Sequence, residues 1–255
     1  MAVVPLHYRF DGPRHAPVVL LLAPPGAKWT VWEPQMPELT RELRVLRVNH
    51  RGHGSSPAPE GDYTIDELGA ELAALIDEFG LERLSVVGAG VGGMLATWLA
   101  AALPRRVGRL AYVAGTATVP RMGPWQRFAA RARGAGMAAV VDEATRSWFT
   151  PGFADYRPDV VKRVAEEFTE VEVSGFAGWC AAVAGLDQRL LLARVRAPAL
   201  VVSAAHDPML PPGHGRRLAR GIPGARLETV SGAAHLAGIE RADRVNELLT
   251  EHLAH

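Results

Sequence analysis

The chain alternates short apolar runs with stretches whose apolar residues recur every three or four positions. VVLLLA (18–23) ends in PPG, and RVLRVN (44–49) ends in HRGHGSS. Runs of this length, closed by glycine, proline and serine, predict buried strands that stop at turns. From Thr64 the spacing changes: Leu68, Leu72, Leu75, Ile76 and Phe79 recur at helical intervals until Gly80 stops them. Glu67, three residues after Thr64, completes a capping box at the start of that helix. LSVVG (84–88) predicts the next strand, GGMLATWLAAAL (92–103) a helix and RLAYVA (109–114) a further strand. Later, PALVVSA (198–204), a helix near 213–220, ARLETV (225–230) and a closing helix from about 240 restore the alternation.

Strands alternating with helices predict an α/β protein with a mostly parallel sheet covered by helices on both faces. The interval from 119 to 187 breaks the pattern. It is helical, rich in Arg and Ala, carries Trp125, Trp148 and Trp179, and offers no strand. It reads as a helical cap inserted into a core made of residues 1–118 and 188–255. The 255 residues suffice for one large α/β core with such an insertion and a sizeable apolar interior.

Charge narrows the partners. Lys plus Arg total 28 against 27 Asp plus Glu, and no run of like charge stands out; neither nucleic acid nor an anionic membrane is expected. The single cysteine, Cys180, cannot form an intrachain disulfide, which suits a reducing compartment. It reads as buried filler, because no basic group can be placed beside it from the sequence. MAVVPLHYRF lacks the basic start and long apolar run of a secretory leader, and no segment approaches the roughly 18 apolar residues of a membrane span. The expectation is a cytoplasmic protein acting on a small molecule.

VVGAGVGGML (86–95) is the most informative stretch, a strand running through a sharp turn into a helix. GAGVGG satisfies a dinucleotide fingerprint through Gly88, Gly90 and Gly93. That fingerprint normally follows the first strand, with an acidic residue about 20 positions on. Here at least two strands precede it and RLAYVAGT ends without an acid, so no nucleotide cofactor is expected. There is no phosphate loop and no zinc-ligand cluster either, so the expectation is no cofactor and no metal.

Several separate motifs occur in a consistent order: VNHRGHGSSPAPEGDYTIDEL, the cap phrase RSWFTPGF, HDPMLPP and GAAHLAGIE. In these the chain resembles the α/β-hydrolases, and among them is most similar to 3-oxoadipate enol-lactonases, over nearly its whole length. The resemblance implies the α/β-hydrolase fold with an inserted cap. It also implies site residues. In the family a serine in G-x-S-x-G sits on the turn, an acid follows a later strand and a histidine follows the last strand. On this chain Gly88, Gly90 and Gly92 match the turn, so Gly90 stands where the serine would be. Asp207 matches the acid and His235 the histidine, which needs that acid to fix its tautomer and orientation.

The family also holds a developing negative charge with the backbone N–H after the nucleophile, here Val91, and a second N–H after the first buried strand. Counting back from Trp32 puts Pro25 in that second position, and proline has no N–H. A shift of one residue would put Gly26 there instead. Glycine at position 90 has its own logic: the turn apex takes positive φ, which costs a residue with a side chain about 1–3 kcal/mol and glycine nothing comparable. His50 and His53 read as structural. Trp125, Trp148 and Trp179 are either cap-to-core packing or, as a set, an apolar roof over a flat organic ligand.

Three functional readings follow. In the first, an enzyme without a serine nucleophile uses His235, oriented by Asp207, as general acid or base on a small apolar carbonyl or lactone-like substrate. Proton transfer, elimination, cyclisation or direct water attack all suit such a dyad. In the second, an enol-lactonase or esterase has had its serine replaced by substitution. In the third, the protein binds a ligand and performs no chemistry.

Overall fold

The computed structural model describes residues 4–119 and 122–254. Seven strands form one sheet: β1 (Tyr8–Asp11), β2 (Val18–Leu22), β3 (Arg44–Val48), β4 (Leu84–Ala89), β5 (Val107–Val113), β6 (Ala199–Ala204) and β7 (Arg226–Val230). Their order is β1-β3-β2-β4-β5-β6-β7. β1 pairs antiparallel with β3, and every other neighbouring pair is parallel. The mostly parallel sheet is what the alternating pattern predicts, and this is the α/β-hydrolase fold that the resemblance implies.

The runs of the central strands β2, β4 and β6 are apolar on both faces because both faces are covered. Leu20, Leu22, Leu46, Val48, Val86 and Leu110 join one core layer, and their alternate neighbours Val19, Leu21, Val45, Val87 and Ala111 join the other. The helices are α1 (Met36–Glu42), α2 (Ile65–Glu78), α3 (Gly92–Ala102), then α4 (Met122–Ala135), α5 (Val141–Thr145), α6 (Pro151–Tyr156), α7 (Pro158–Thr169), α8 (Val173–Val183) and α9 (Arg189–Leu192) between β5 and β6, and finally α10 (Gly213–Gly221), α11 (Ala237–Glu240) and α12 (Ala242–Leu253). Leu68, Leu72 and Ile76 of α2 and Met94, Leu95 and Leu99 of α3 pack on the first face; Leu39 of α1 and Val245, Leu248 and Leu249 of α12 pack on the second. The capping box on α2 forms: Glu67 N–H donates to Thr64 Oγ1 at 3.2 Å, and Thr64 N–H donates to Glu67 Oε2 at 2.8 Å.

Between β5 and β6 the chain leaves the sheet and returns through an isolated antiparallel bridge, Thr118 to Asp187. The intervening helices have a cluster of their own, with Met137, Trp148, Val164, Phe168, Phe176 and Cys180 packed against Leu236 of the core. No described helix is long and apolar enough to cross a membrane.

Candidate active site

The site is assembled where β2, β4, β6 and β7 end. β4 stops at Ala89, Gly90 turns with φ of 54°, and α3 begins at Gly92. The turn is tight. A Cβ on Gly88 would lie 2.6 Å from the Gly92 carbonyl oxygen, and one on Gly92 would lie 2.5 Å from the Ala23 carbonyl oxygen. Both positions therefore need glycine so that backbone can meet backbone. Gly90 differs: a Cβ there would meet a side chain, His235 Nε2, at 2.9 Å, and Pro24 Cβ at 3.2 Å.

His235 lies on the loop after β7 and Asp207 on the loop after β6. His235 Nδ1 donates to Asp207 Oδ2 at 2.8 Å, and both residues are buried. The other carboxylate oxygen accepts the N–H groups of Met209 at 2.8 Å and Leu210 at 2.9 Å. Burial works to raise the Asp207 carboxyl, but the neighbouring imidazole, its hydrogen bond and the two backbone donors outweigh it and hold the group below its ordinary value. An ionised carboxylate only accepts, so the proton sits on Nδ1, and in the neutral ring Nε2 is left as a lone pair beside Gly90. The loop bearing His235 is fixed on either side. Ala234 N–H donates to Glu240 Oε2 at 2.8 Å, and Leu236 N–H donates to the Trp148 carbonyl at 2.9 Å.

The loop after β2 is clasped by two buried histidines. His50 Nε2 donates to the Ala23 carbonyl at 2.9 Å, while Gly26 N–H donates to His53 Nε2 at 2.8 Å. His53 Nδ1 donates to the Arg51 carbonyl at 2.8 Å. Burial pushes His50 down to about 3, helped by His53, and pushes His53 down to about 4, so both rings are neutral near pH 7. Ala27 N–H is also engaged, donating to the Pro24 carbonyl at 3.1 Å. Neither Gly26 nor Ala27 has an N–H free for the cavity, and Pro25 has none. Val91 N–H makes no hydrogen bond within the described residues.

A cavity of about 510 Å³ opens beside this turn, and Pro25, Val91, Trp125, Trp148 and His235 all line it. Trp179 does not, which corrects the expectation of a roof of three indoles. It is fully buried in the core with its ring centroid 4.8 Å from that of His50, because α8 packs that face of the cap inward. Phe128 takes a place in the wall instead. Cys180 is buried and its thiol is pushed up to about 12 by that burial, so it carries no nucleophile. A larger, more open groove of about 1110 Å³ between α6 and the start of α12 includes neither His235 nor Gly90. Among the described residues no three His, Cys, Asp or Glu side chains gather as a metal centre requires.

One cavity-lining imidazole was missed from the sequence. His214, in the first turn of α10, lines the same cavity, with Nδ1 2.7 Å from Thr116 Oγ1. The available signal was its place in HDPMLPPGH, seven residues after Asp207 on one short loop.

A family model described as the alpha/beta hydrolase fold matches residues 16–242. 3-Oxoadipate enol-lactonase 2 of Acinetobacter baylyi is 29% identical over 243 residues, covering 95% of this chain and 91% of that protein. Among solved structures, the enol-lactonase from Burkholderia xenovorans LB400 superimposes with a TM-score of 0.96 at 35% identity, over 100% of this chain and 99% of that one. A hydrolase from Pseudomonas aeruginosa PA01 does so with a TM-score of 0.94 at 33% identity, over 98% of this chain and 94% of that one.

Proposed function

We propose, on the premise that the chain belongs to the α/β-hydrolase fold family, that it is an enzyme which works without a covalent intermediate. In this reading Gly90 stands at the family's nucleophile position, and His235, oriented by Asp207, is the general base or acid. The observation that carries it is the finished dyad: a 2.8 Å bond fixes Nδ1 and leaves Nε2 facing a cavity that, among the described residues, no serine or cysteine lines. Nε2 takes a proton from water or from a carbon next to a carbonyl, and the ionised Asp207 stabilises the imidazolium that results. Val91 N–H is the backbone donor for the carbonyl oxygen. The names of the relatives support a lactone-like substrate, and the Trp125, Phe128 and Trp148 wall suits an apolar one.

Acyl transfer fits less well. Loss of a triad serine costs such enzymes roughly 10⁶ in rate, and loss of one charge-stabilising donor roughly 10²–10³. The 2.9 Å approach of His235 to the place of a Cβ supports glycine as the resident that this pocket is built around. The test begins with a panel of lactones and cyclic ketones on the unaltered protein. His235→Ala and Asp207→Asn are expected to lose about 10³-fold or more of whatever turnover is found. Gly90→Ser, assayed on nitrophenyl acetate and on a muconolactone-type enol-lactone, is expected to stay far below family-like rates. Full turnover by that variant would replace this reading with a hydrolase whose serine had been substituted. Unchanged turnover in His235→Ala would remove the dyad from the mechanism.

A further inference from the structure

His214 shares the cavity with His235 yet takes no part in the dyad. Its position is set from two sides. α10 lies so close to β6 that a Cβ on Gly215 would fall 1.8 Å from Ser203 Oγ, which pins the start of the helix to the sheet. From behind the cavity wall, Thr116 Oγ1 sits 2.7 Å from His214 Nδ1. Thr116 is buried, and its hydroxyl has one hydrogen, which it donates to the Thr118 carbonyl at 2.9 Å. It also accepts the Thr118 N–H at 3.1 Å. With that hydrogen on the Thr118 carbonyl the hydroxyl accepts from His214, an arrangement that assigns the proton to Nδ1 and leaves Nε2 of the neutral ring as a lone pair. Burial and Arg217 favour the neutral ring, against the pull of Asp207. No hydrogen bond within the described residues occupies that Nε2.

We infer that His214 is a specificity-determining residue, whose Nε2 accepts a hydrogen bond from a hydroxyl or N–H group on a flat apolar ligand held against Trp125, Phe128 and Trp148. The inference rests on reading the cavity as the substrate site. It assigns two imidazoles different tasks: His235 moves protons, and His214 recognises a donor at a distance from the reacting atoms. A ligand lacking the donor leaves a half-buried acceptor without its partner, which is how a site of this kind discriminates.

The test is a binding measurement that needs no turnover. Naphthol and methoxynaphthalene share a flat apolar body and differ in having a donor, and their binding to the unaltered protein is followed by tryptophan fluorescence and calorimetry. Naphthol is expected to bind about tenfold more tightly. His214→Phe is expected to abolish that preference while methoxynaphthalene affinity stays within about twofold. Thr116→Val, which removes the partner that fixes the ring, is expected to reduce the preference. Nitrogen NMR of labelled histidine in the unaltered protein is expected to show the Nδ1–H tautomer at His214. A preference that survives in His214→Phe, an Nε2–H tautomer, or failure of both compounds to bind would each overturn the inference. His235→Ala is expected to keep the preference; its loss there would move donor recognition to the dyad and overturn it as well. Failure of the non-covalent mechanism would appear only in turnover and would leave these binding results as they stand.

Discussion

His53 is neutral because both its ring nitrogens are committed in a way that only a neutral ring satisfies: one donates to the Arg51 carbonyl and the other accepts from Gly26. Protonation would turn Nε2 into a donor facing a donor and release the loop that carries Pro25. In the unfolded chain His50 and His53 titrate near 6.5, but the fold holds them at about 3 and about 4. Above 6.5 both states are neutral and the burial has no pH dependence. As pH falls below 6.5 the unfolded chain takes up protons that the folded one refuses, so stability declines until the native rings protonate. The lowered Asp207 carboxyl adds a further loss only below its unfolded value of about 3.9. The urea unfolding midpoint is therefore expected to fall steadily from pH 6.5 to pH 4, with close to two protons of slope from these rings. His53→Gln keeps an acceptor for Gly26 and is expected to remove about one proton from that slope; an unchanged slope would show that His53 titrates normally. Asp207 and His235 were legible through the motifs that flank them. His214 and the clasping role of His53 were not, since each depends on partners far along the chain, Thr116 and Gly26.

At the level of elements, the turn from β4 into α3 shows why three nearby glycines are not equivalent. At Gly88 a methyl group would enter the backbone of Gly92 and Gly93, and at Gly92 that of Ala23 and Leu22, so in either case the start of α3 would have to move off the strand ends. At Gly90 it would meet the end of His235 and adopt a strained φ, costing about 1–2 kcal/mol. Gly92→Ala is accordingly expected to destabilise the protein by clearly more than Gly90→Ala in denaturant titrations. Equal losses would mean that the turn tolerates movement away from Ala23. The central strands β2, β4 and β6 were readable because they are buried on both faces and so form nearly continuous apolar runs, and α2 was readable from its capping box and spacing. β1 was not. It is four residues long, lies at the sheet edge with Tyr8 exposed, and owes its place to pairing with β3 rather than to a pattern of its own. The 3₁₀ turn Trp29–Gln35 leading into α1 was equally silent, since Pro34 and Pro37 break any helical spacing.

Across the whole molecule, one carboxylate bonds both the helices inserted between β5 and β6 and the loop that carries His235. Glu240 accepts the Ala234 N–H next to His235 and, through its other oxygen, the Thr150 N–H at 3.1 Å, and the Thr150 hydroxyl bonds it too. Leu236 N–H reaches the Trp148 carbonyl alongside, so the wall of the cavity and the loop of the dyad are held as one unit. Nothing in the local pattern announces such a clasp, because Thr150 and Glu240 are 90 residues apart and each looks like an ordinary surface residue. Its consequence is geometric: Glu240 and the Leu236–Trp148 bond together keep His235 and Trp148 in register. Glu240→Ala leaves the dyad's own bond intact but frees both anchor points. Faster hydrogen exchange is expected at Ala234 and Thr150 together, with a loss of about tenfold or more in kcat/KM, the scale on which small displacements of a catalytic group act. Thr150→Val removes the hydroxyl's bond to Glu240 and its cap on the Phe153 N–H of α6 but keeps both backbone bonds to Glu240, so its effect on turnover is expected to be smaller and confined to the cap side. If Glu240→Ala quickens exchange at Thr150 while Ala234 and turnover stay unchanged, the cap and the dyad are positioned independently and the clasp has no part in the chemistry.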